Sequence, residues 1–133
     1  MRFITALVAS GLAIILLPSA VGLAQSPNHQ WIRVTTDNYD NTYRLDKQVG
    51  GRGRYRRYWM SVVLAGNDES YKWKKVLSSI DCQTFQRRIR MTVRYEASGK
   101  IYDVANDGGG GDVENVPRKS IEGRIANIAC SLK

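Results

Sequence analysis

FQRRIRMTVRY, residues 85–95, is the stretch that decides the fold, because apolar and polar side chains alternate along it. The apolar positions are predicted to share one face of a strand: Phe85, Ile89, Met91, Val93 and Tyr95. The polar positions are predicted to share the other face: Gln86, Arg88, Arg90, Thr92 and Arg94. Only Arg87 interrupts the alternation. A period of two is typical of a strand with one buried and one solvated face.

Similar patterns on both sides predict further strands joined by short turns. Aromatic and β-branched residues favour strands at 31–36, 42–45, 55–64, 71–77 and 100–105. The segments between them are rich in Gly, Asn, Asp and Ser, which favour turns. The glycine-rich residues 50–53 form the clearest break. Because the connections are short, we expect mostly antiparallel pairing.

The C-terminal residues predict one helix. Ser120 is predicted as its N-cap, and Gly123 weakens its propensity. Apolar residues then recur with helical spacing at Ile121, Ile125, Ile128 and Leu132. Cys130 lies nearly opposite this stripe on a helical wheel. Either the helix ends before Cys130 or its buried face differs from the predicted one.

The first 24 residues have the layout of a secretory signal peptide. Arg2 gives a positive start, residues 6–17 are apolar, and Gly22 and Ala24 mark a cleavage site. A membrane anchor is the alternative, but the apolar run is short for a hydrocarbon core of about 30 Å. We expect a signal peptide at 1–24 and a single domain at 25–133, which is exported to the periplasm, the cell surface or the medium. No cysteine lies near the cut, so we expect no lipoprotein anchor, and we expect no transmembrane segment in the mature chain.

Cys82 and Cys130 are the two cysteines of the chain. In an exported protein such a pair favours a disulfide, and two free buried thiols are the alternative. The predicted fold class is therefore α+β: a mostly antiparallel sheet of about six strands, covered by a C-terminal helix, with one disulfide.

The chain is basic, with a net charge of +8 that becomes +7 if Arg2 is removed with the signal. Such a charge favours anionic partners and does not report on the fold. Basic residues fall into three groups, and they are the predicted binding residues for an anionic partner: Arg52, Arg54, Arg56, Arg57, Lys72, Lys74, Lys75, Arg88, Arg90 and Arg94. The alternative is a solvated strand face that only keeps the protein soluble. Packing of the helix on the arginine face would exclude the binding interpretation.

The sequence contains no recognisable catalytic or metal-binding combination. His29 is the only histidine, and we expect it to lie in a frayed N-terminal segment with a structural role at most. One histidine and two cysteines do not make a metal site. We therefore expect no enzyme activity, no cofactor and no metal.

Residues 103–114 have a partial likeness to a calcium-binding loop. Asp103, Asp107, Gly108 and Glu114 fall at the first, fifth, sixth and twelfth positions. Ala105, at the third position, offers no side-chain oxygen. A flexible, solvated glycine loop is the preferred interpretation.

The order of several short motifs resembles the surface-adhesin protein E family of small exported bacterial proteins. The motifs are Trp31-Ile32-Arg33-Val34, Tyr43-Arg44-Leu45-Asp46, Trp59, Asp81-Cys82, the hairpin at 94–101, and Val116-Pro117 before a helix that reaches Cys130. The resemblance covers essentially all of residues 25–133. It implies an antiparallel sheet with the helix held to it by the cysteine pair. It also implies a surface or periplasmic location and adhesion to host matrix or serum proteins such as vitronectin and laminin.

The leading hypothesis is a non-catalytic exported binding protein, an adhesin that engages matrix or serum proteins or anionic glycans through a basic strand face. The alternative is a periplasmic protein that binds or inhibits another exported protein. Its positive charge disfavours cationic targets. An unrecognised hydrolase would need a pocket with converging carboxylates, and a specific nucleic-acid partner is not expected.

Overall fold

The computed structural model describes residues 28–66, 70–107 and 111–133. The predicted signal peptide at 1–24, the first residues of the predicted domain, the turn tip at 67–69 and the glycines at 108–110 lie outside the described residues. The strands are β1 Trp31–Thr36, β2 Thr42–Asp46, β3 Gly50–Arg52, β4 Tyr55–Val63, β5 Trp73–Asp81, β6 Gln86–Tyr95, β7 Ile101–Asn106 and β8 Val113–Asn115, and the helix is α1 Ile121–Ser131.

The described strands form one antiparallel sheet, and the predicted α+β fold class is confirmed. The order across the sheet is β1-β2-β4-β5-β6-β7. β3 pairs with the first part of β4 and β2 with its last part. β8 and β7 divide β6 in the same way. One edge of β4 and one edge of β6 thus each pair with two shorter strands. The three-residue strands β3 and β8 are the ones that the sequence did not predict.

β3 lies where the sequence predicted only a break. Gly50 pairs with Arg57 and Gly51 with Arg56 across a tight hairpin. Gly51 has a φ of +81°, and a Cβ at this position would lie 2.4 Å from the carbonyl oxygen of Tyr55. Glycine is therefore what allows the two strands to approach here.

The helix packs on β2 and β4, above an apolar core. The most buried apolar side chains of that core are Leu45, Tyr58, Met60, Val62, Val76, Ile80, Phe85, Val116 and Ile125. As predicted, Ser120 is the N-cap, and its hydroxyl accepts the backbone N–H of Gly123 at 3.0 Å. No helix in the described part of the chain is long and apolar enough to cross a membrane.

The buried face of α1 differs from the predicted stripe. Gly123, Ile125, Ala126 and Ala129 are buried, whereas Ile121, Ile128 and Leu132 are only partly buried against the core. The buried face of α1 thus includes the two alanines instead of Ile121 and Ile128, because small residues let the helix lie close to the sheet. The helix continues through Cys130. Of the two alternatives, the predicted helix face was wrong and the helix length was right.

Two attachments hold α1 to the sheet. The disulfide Cys82–Cys130 joins the turn after β5 to the last turn of the helix. At the other end, the Arg87 guanidinium of β6 binds Glu114 of β8 and Glu122 in the first helical turn. Arg87 is only 5% exposed, and the two carboxylates offset the cost of burying its positive charge.

A β-bulge in β6 changes the predicted face assignment. Ser78 pairs with Ile89 and Leu77 pairs with Met91, so Arg90 has no partner residue across the β5–β6 ladder. One extra residue reverses the facing of all side chains beyond it.

The predicted row of arginines on β6 is therefore wrong. Arg88 and Arg90 lie on the sheet face away from α1, whereas Arg94 lies on the α1 side. There Arg94 forms an ion pair with Asp103 at 3.0 Å. The same bulge puts Ile89 on the α1 side, apart from the other apolar residues of the strand.

The two outermost strands of the described sheet carry bulges as well. Val34 is the extra residue of β1, between Arg33 and Thr35. Tyr102 is the extra residue of β7, opposite the step from Arg94 to Tyr95. Both edges are thus locally out of step with the regular ladder.

Replacing Gly123 tests the close approach of α1. A Cβ at Gly123 would lie 2.1 Å from the carbonyl oxygen of Pro117. We expect Gly123→Ala to destabilise the protein by about 1–3 kcal/mol, because this clash outweighs the better helix propensity of alanine. Urea unfolding measures the change. Gly66→Ala is the control, since a Cβ there meets no atom within 4 Å, and a stability equal to that variant would contradict the packing.

Candidate binding face

The sheet face away from α1, called the distal face, carries polar and aromatic side chains. The register places Arg44, Ser61 and Lys75 side by side on β2, β4 and β5. Trp59 and Trp73 lie two positions away on β4 and β5, so they share this face. The distal face is therefore a candidate binding surface, whereas the α1 side holds the apolar core.

A chain of three buried titratable groups, called the His29 cluster, crosses the distal face. His29 Nδ1 is 2.6 Å from Asp46 Oδ2, and Lys75 Nζ is 3.0 Å from His29 Nε2. The side chains of His29 and Asp46 are 6% and 2% exposed, and Lys75 is 3% exposed. The second carboxylate oxygen of Asp46 accepts the backbone N–H groups of Gln30 and Gln48.

These contacts correct the prediction that His29 lies in a frayed segment. His29 precedes β1, yet it is fastened to β2 through Asp46 and to β5 through Lys75. Lys75, a predicted anion-binding residue, is buried in this cluster instead of being presented at the surface.

Aromatic rings enclose the cluster. The His29 ring lies 4.5 Å from Trp31 and 5.4 Å from Trp59, measured between centroids. The Lys75 ammonium lies 4.7 Å from the centroid of Trp59 and 5.8 Å from that of Tyr95. The electron-rich ring faces offset part of the cost of burying a cation.

Arg44 continues the same stack towards the sheet edge. Its guanidinium carbon lies 5.1 Å from the Trp31 centroid and 5.7 Å from that of Trp73. Its Nε donates to the Ser61 hydroxyl at 2.8 Å. Trp73 in turn stacks on Tyr95 with the centroids 4.0 Å apart. Tryptophan rings thus lie against both the half-buried Arg44 and the buried Lys75.

The protonation state of His29 follows from its neighbours. Burial lowers the pKa of His29 below its usual 6.5, and the charges of Lys75 and Arg44 act in the same direction, while Asp46 opposes them. The imidazole is therefore neutral at pH 7, with its proton on Nδ1 and the Nε2 lone pair accepting from Lys75. In a hydrolase Nε2 would activate a nucleophile, but here the lysine occupies that atom.

A groove on the distal face is lined by four of the predicted arginines, Arg56, Arg57, Arg88 and Arg90. This arginine groove has a volume of about 570 Å³, and its lining includes Arg57, Ser79, Arg88 and Arg90. Arg57 of β4 and Arg88 of β6 are both opposite Ser79 of β5, so they lie two strand spacings apart. Arg90 is the bulged residue, and its Nε donates to the Ser79 hydroxyl at 3.0 Å. The bulge thus adds a third guanidinium to this part of the sheet.

The rims of the groove come from other strands. Gly50 and Gly51 of β3 line one side and Val113 of β8 lines another. Tyr55 also contributes, and it is 63% exposed. The short strands that the sequence did not predict therefore help to shape the groove.

The other predicted basic residues do not form one patch with Arg57, Arg88 and Arg90. Arg54 forms a two-pronged ion pair with Asp81, at 2.8 and 2.7 Å, which holds the pKa of Asp81 far below its usual range. Arg56 lines the groove, but its Nη1 donates to the carbonyl of Gly51. Arg52 is exposed on β3.

The lysines of the second group are also dispersed. Lys72 precedes β5 and is half-buried, and Lys74 is half-buried on the α1 side, paired with Val62 and Arg94. Together with Lys75 in the His29 cluster, they occupy three different environments.

The calcium-loop interpretation receives no support from the carboxylates that the structure describes. Asp103 is paired with Arg94, and Glu114 is paired with Arg87. The glycines at 108–110 are outside the described residues.

Sequence reasoning missed three residues that organise the two faces. Arg87 was noticed only as an interruption of an alternating pattern, and that interruption was its signal. Asp46 and Arg44 had no local signal, because their partners are distant in sequence: His29 and Ser61 are each 17 positions away.

Comparison with known proteins gives no assignment. No protein-family model matches the chain, and no curated protein matches it significantly.

Replacing Asp46 tests how much the His29 cluster contributes to the stability of the fold. Asp46→Asn keeps the shape but removes the charge that faces His29, and we expect a loss of about 2–4 kcal/mol in unfolding free energy. Asp103→Asn is the control, because its ion pair with Arg94 is solvent-exposed and worth about 1 kcal/mol or less. Chemical denaturation followed by circular dichroism measures both. Equal, small effects would show that the cluster contributes little to stability.

Proposed function

We propose that the chain is an exported, non-catalytic binding protein that engages an anionic partner through the arginine groove. The observation that carries this proposal is that Arg57, Arg88 and Arg90 line one groove of the distal face. Export and adhesion are supported by the signal-like N-terminus and by the motifs that resemble the surface-adhesin protein E family. That resemblance depends on those motifs alone.

The chemistry of the groove favours an anion. Guanidinium groups bind sulfate and carboxylate through paired hydrogen bonds, which lysine does not provide. Asp81 is the acidic side chain among the described lining residues, and Arg54 already neutralises it. The groove volume is within the range of about 300–1,000 Å³ that is usual for ligand sites.

The position of the helix is compatible with this proposal. α1 packs on the opposite face of the sheet from Arg88 and Arg90, so it does not cover the groove. Arg94 and Lys74 are on the α1 side and are removed from the proposed binding residues. The binding residues are therefore fewer than the sequence predicted, and they come from two strands.

The partner that fits is a sulfated or carboxylated glycan, or an acidic stretch of a matrix protein such as vitronectin or laminin. A protein of net charge +7 attracts any polyanion weakly, and this attraction fades with salt. Specific binding at the groove differs from this general attraction, because its affinity depends on where the positive charges lie.

Two charge-matched triple variants test that claim. The first is Arg57→Ala/Arg88→Ala/Arg90→Ala in the groove. The second is Lys47→Ala/Lys119→Ala/Arg124→Ala, whose three side chains are exposed and outside the groove lining. Binding of the oxidised protein to immobilised heparin, vitronectin and laminin is measured over a salt series that includes about 0.15 M.

We expect the groove variant to lose at least about tenfold in affinity for one of these surfaces, and the control variant to lose about twofold or less. Circular dichroism and thermal unfolding establish that both variants are folded. Equal losses in the two variants would contradict the proposal and indicate generic charge attraction. Adding Arg57→Lys/Arg88→Lys/Arg90→Lys separates charge from guanidinium geometry, because it keeps all three charges.

A further inference from the structure

His29 is the only histidine of the chain, and the fold places it between an anion and a cation. The Asp46 carboxylate faces Nδ1, and the Lys75 ammonium faces Nε2. Because an ammonium has three donors and no acceptor, the contact at Nε2 requires an imidazole lone pair. The arrangement therefore accepts only one of the two protonation states of His29.

A second proton on the ring, at Nε2, turns the attraction between His29 and Lys75 into repulsion. The protonated ring would present an N–H to the Lys75 ammonium at a site where the two atoms are now 3.0 Å apart. Two cations would then face each other in a place that is almost closed to water, where their repulsion is weakly screened. Asp46 favours the protonated ring, and burial, followed by the charge of Lys75, opposes it.

The charged groups that the structure places around His29 either favour or oppose protonation of its ring. Asp46 of β2 favours the charged ring. Burial opposes it most, and Lys75 of β5 and Arg44 of β2 oppose it as well. The rings of Trp31 and Trp59 complete the surroundings from β1 and β4. The contact between His29 and Lys75 is the element that cannot survive protonation.

We propose that the His29 cluster is an acid-operated latch, in which protonation of His29 breaks its contact with Lys75 and loosens residues 28–30 from the distal face. Above the transition the latch is closed, with Gln30 held by Asp46 and the His29 ring packed between Trp31 and Trp59. Below it, β5 is released from His29, and the surroundings of both tryptophans change. This inference is independent of the arginine groove, since none of its residues lines that groove.

The direction with pH follows from linkage. His29 has a lower pKa in the folded protein than its usual 6.5, so the unfolded chain binds the proton more readily. The stabilisation by the closed latch is complete above pH 6.5 and declines as the pH falls below that value towards the folded pKa.

A single histidine makes the test direct. The oxidised protein is labelled with ¹³C and ¹⁵N at histidine, and the imidazole signals are followed by NMR between pH 8 and pH 4. In parallel, tryptophan fluorescence is recorded over the same range. We expect one imidazole transition below pH 6.5 and a fluorescence transition with the same midpoint.

Two lysine variants identify the partner. Lys75→Met removes the ammonium at Nε2, and we expect it to raise the His29 midpoint by about one pH unit or more. Lys74→Met is the matched control, because it removes the same charge from the neighbouring residue, which points to the other face. We expect that control to move the midpoint by less than about 0.3 units.

A third variant keeps the test decisive if Lys75→Met fails to fold. His29→Gln cannot be protonated, so the fluorescence transition should disappear while the protein stays folded at pH 7. The latch is overturned if fluorescence does not change when the imidazole titrates, or if the transition persists in His29→Gln. Equal midpoints in the two lysine variants would also contradict it, since Lys75 would then not oppose the proton.

Discussion

The attachment of α1 at both of its ends is the constraint on which the arrangement of the sheet depends. Glu122 in the first turn meets the buried guanidinium of Arg87, and Cys130 in the last turn is bonded to Cys82. An eleven-residue helix would be marginal alone in water, so these two contacts and the apolar core between them keep it in place. With the helix fixed above β2 and β4, this face of the sheet holds the apolar core together with the ion pairs of Arg87, and the other face holds the His29 cluster and the arginine groove.

On the distal face, hydrogen bonds and aromatic contacts offset the cost of burying charged groups. Asp46, His29, Lys75 and Arg44 are all wholly or partly withdrawn from water. Each has a hydrogen-bonding partner of suitable kind, and aromatic rings lie against the two cations and the imidazole. Burial of charge is expensive unless such partners are supplied, so the cluster ties together strands that are distant in sequence. The arginine groove lies farther along the same face and is lined by Arg57, Arg88 and Arg90.

Local patterns predicted the fold well and the site poorly, and the reason is physical. Alternation along a strand depends on neighbours in sequence, so β1, β4 and β6 could be located within a residue or so. The bulge at Arg90 depends on how β6 meets β5, and alternation within β6 carries no trace of it. His29 looked like part of a loose end because Lys75, its partner, is 46 positions away. Arg87 alone left a mark in the sequence, as a charge in an apolar row.

The bulges at Val34 and Tyr102 have a consequence for the protein at high concentration. A further strand that approached either edge would find a residue that breaks the regular spacing of donors and acceptors. Edge-to-edge stacking into ribbons is thereby disfavoured along β1 and β7, and the other two edge strands, β3 and β8, are only three residues long. The long central strands can be rich in β-branched and aromatic residues without making the molecule a template for fibres.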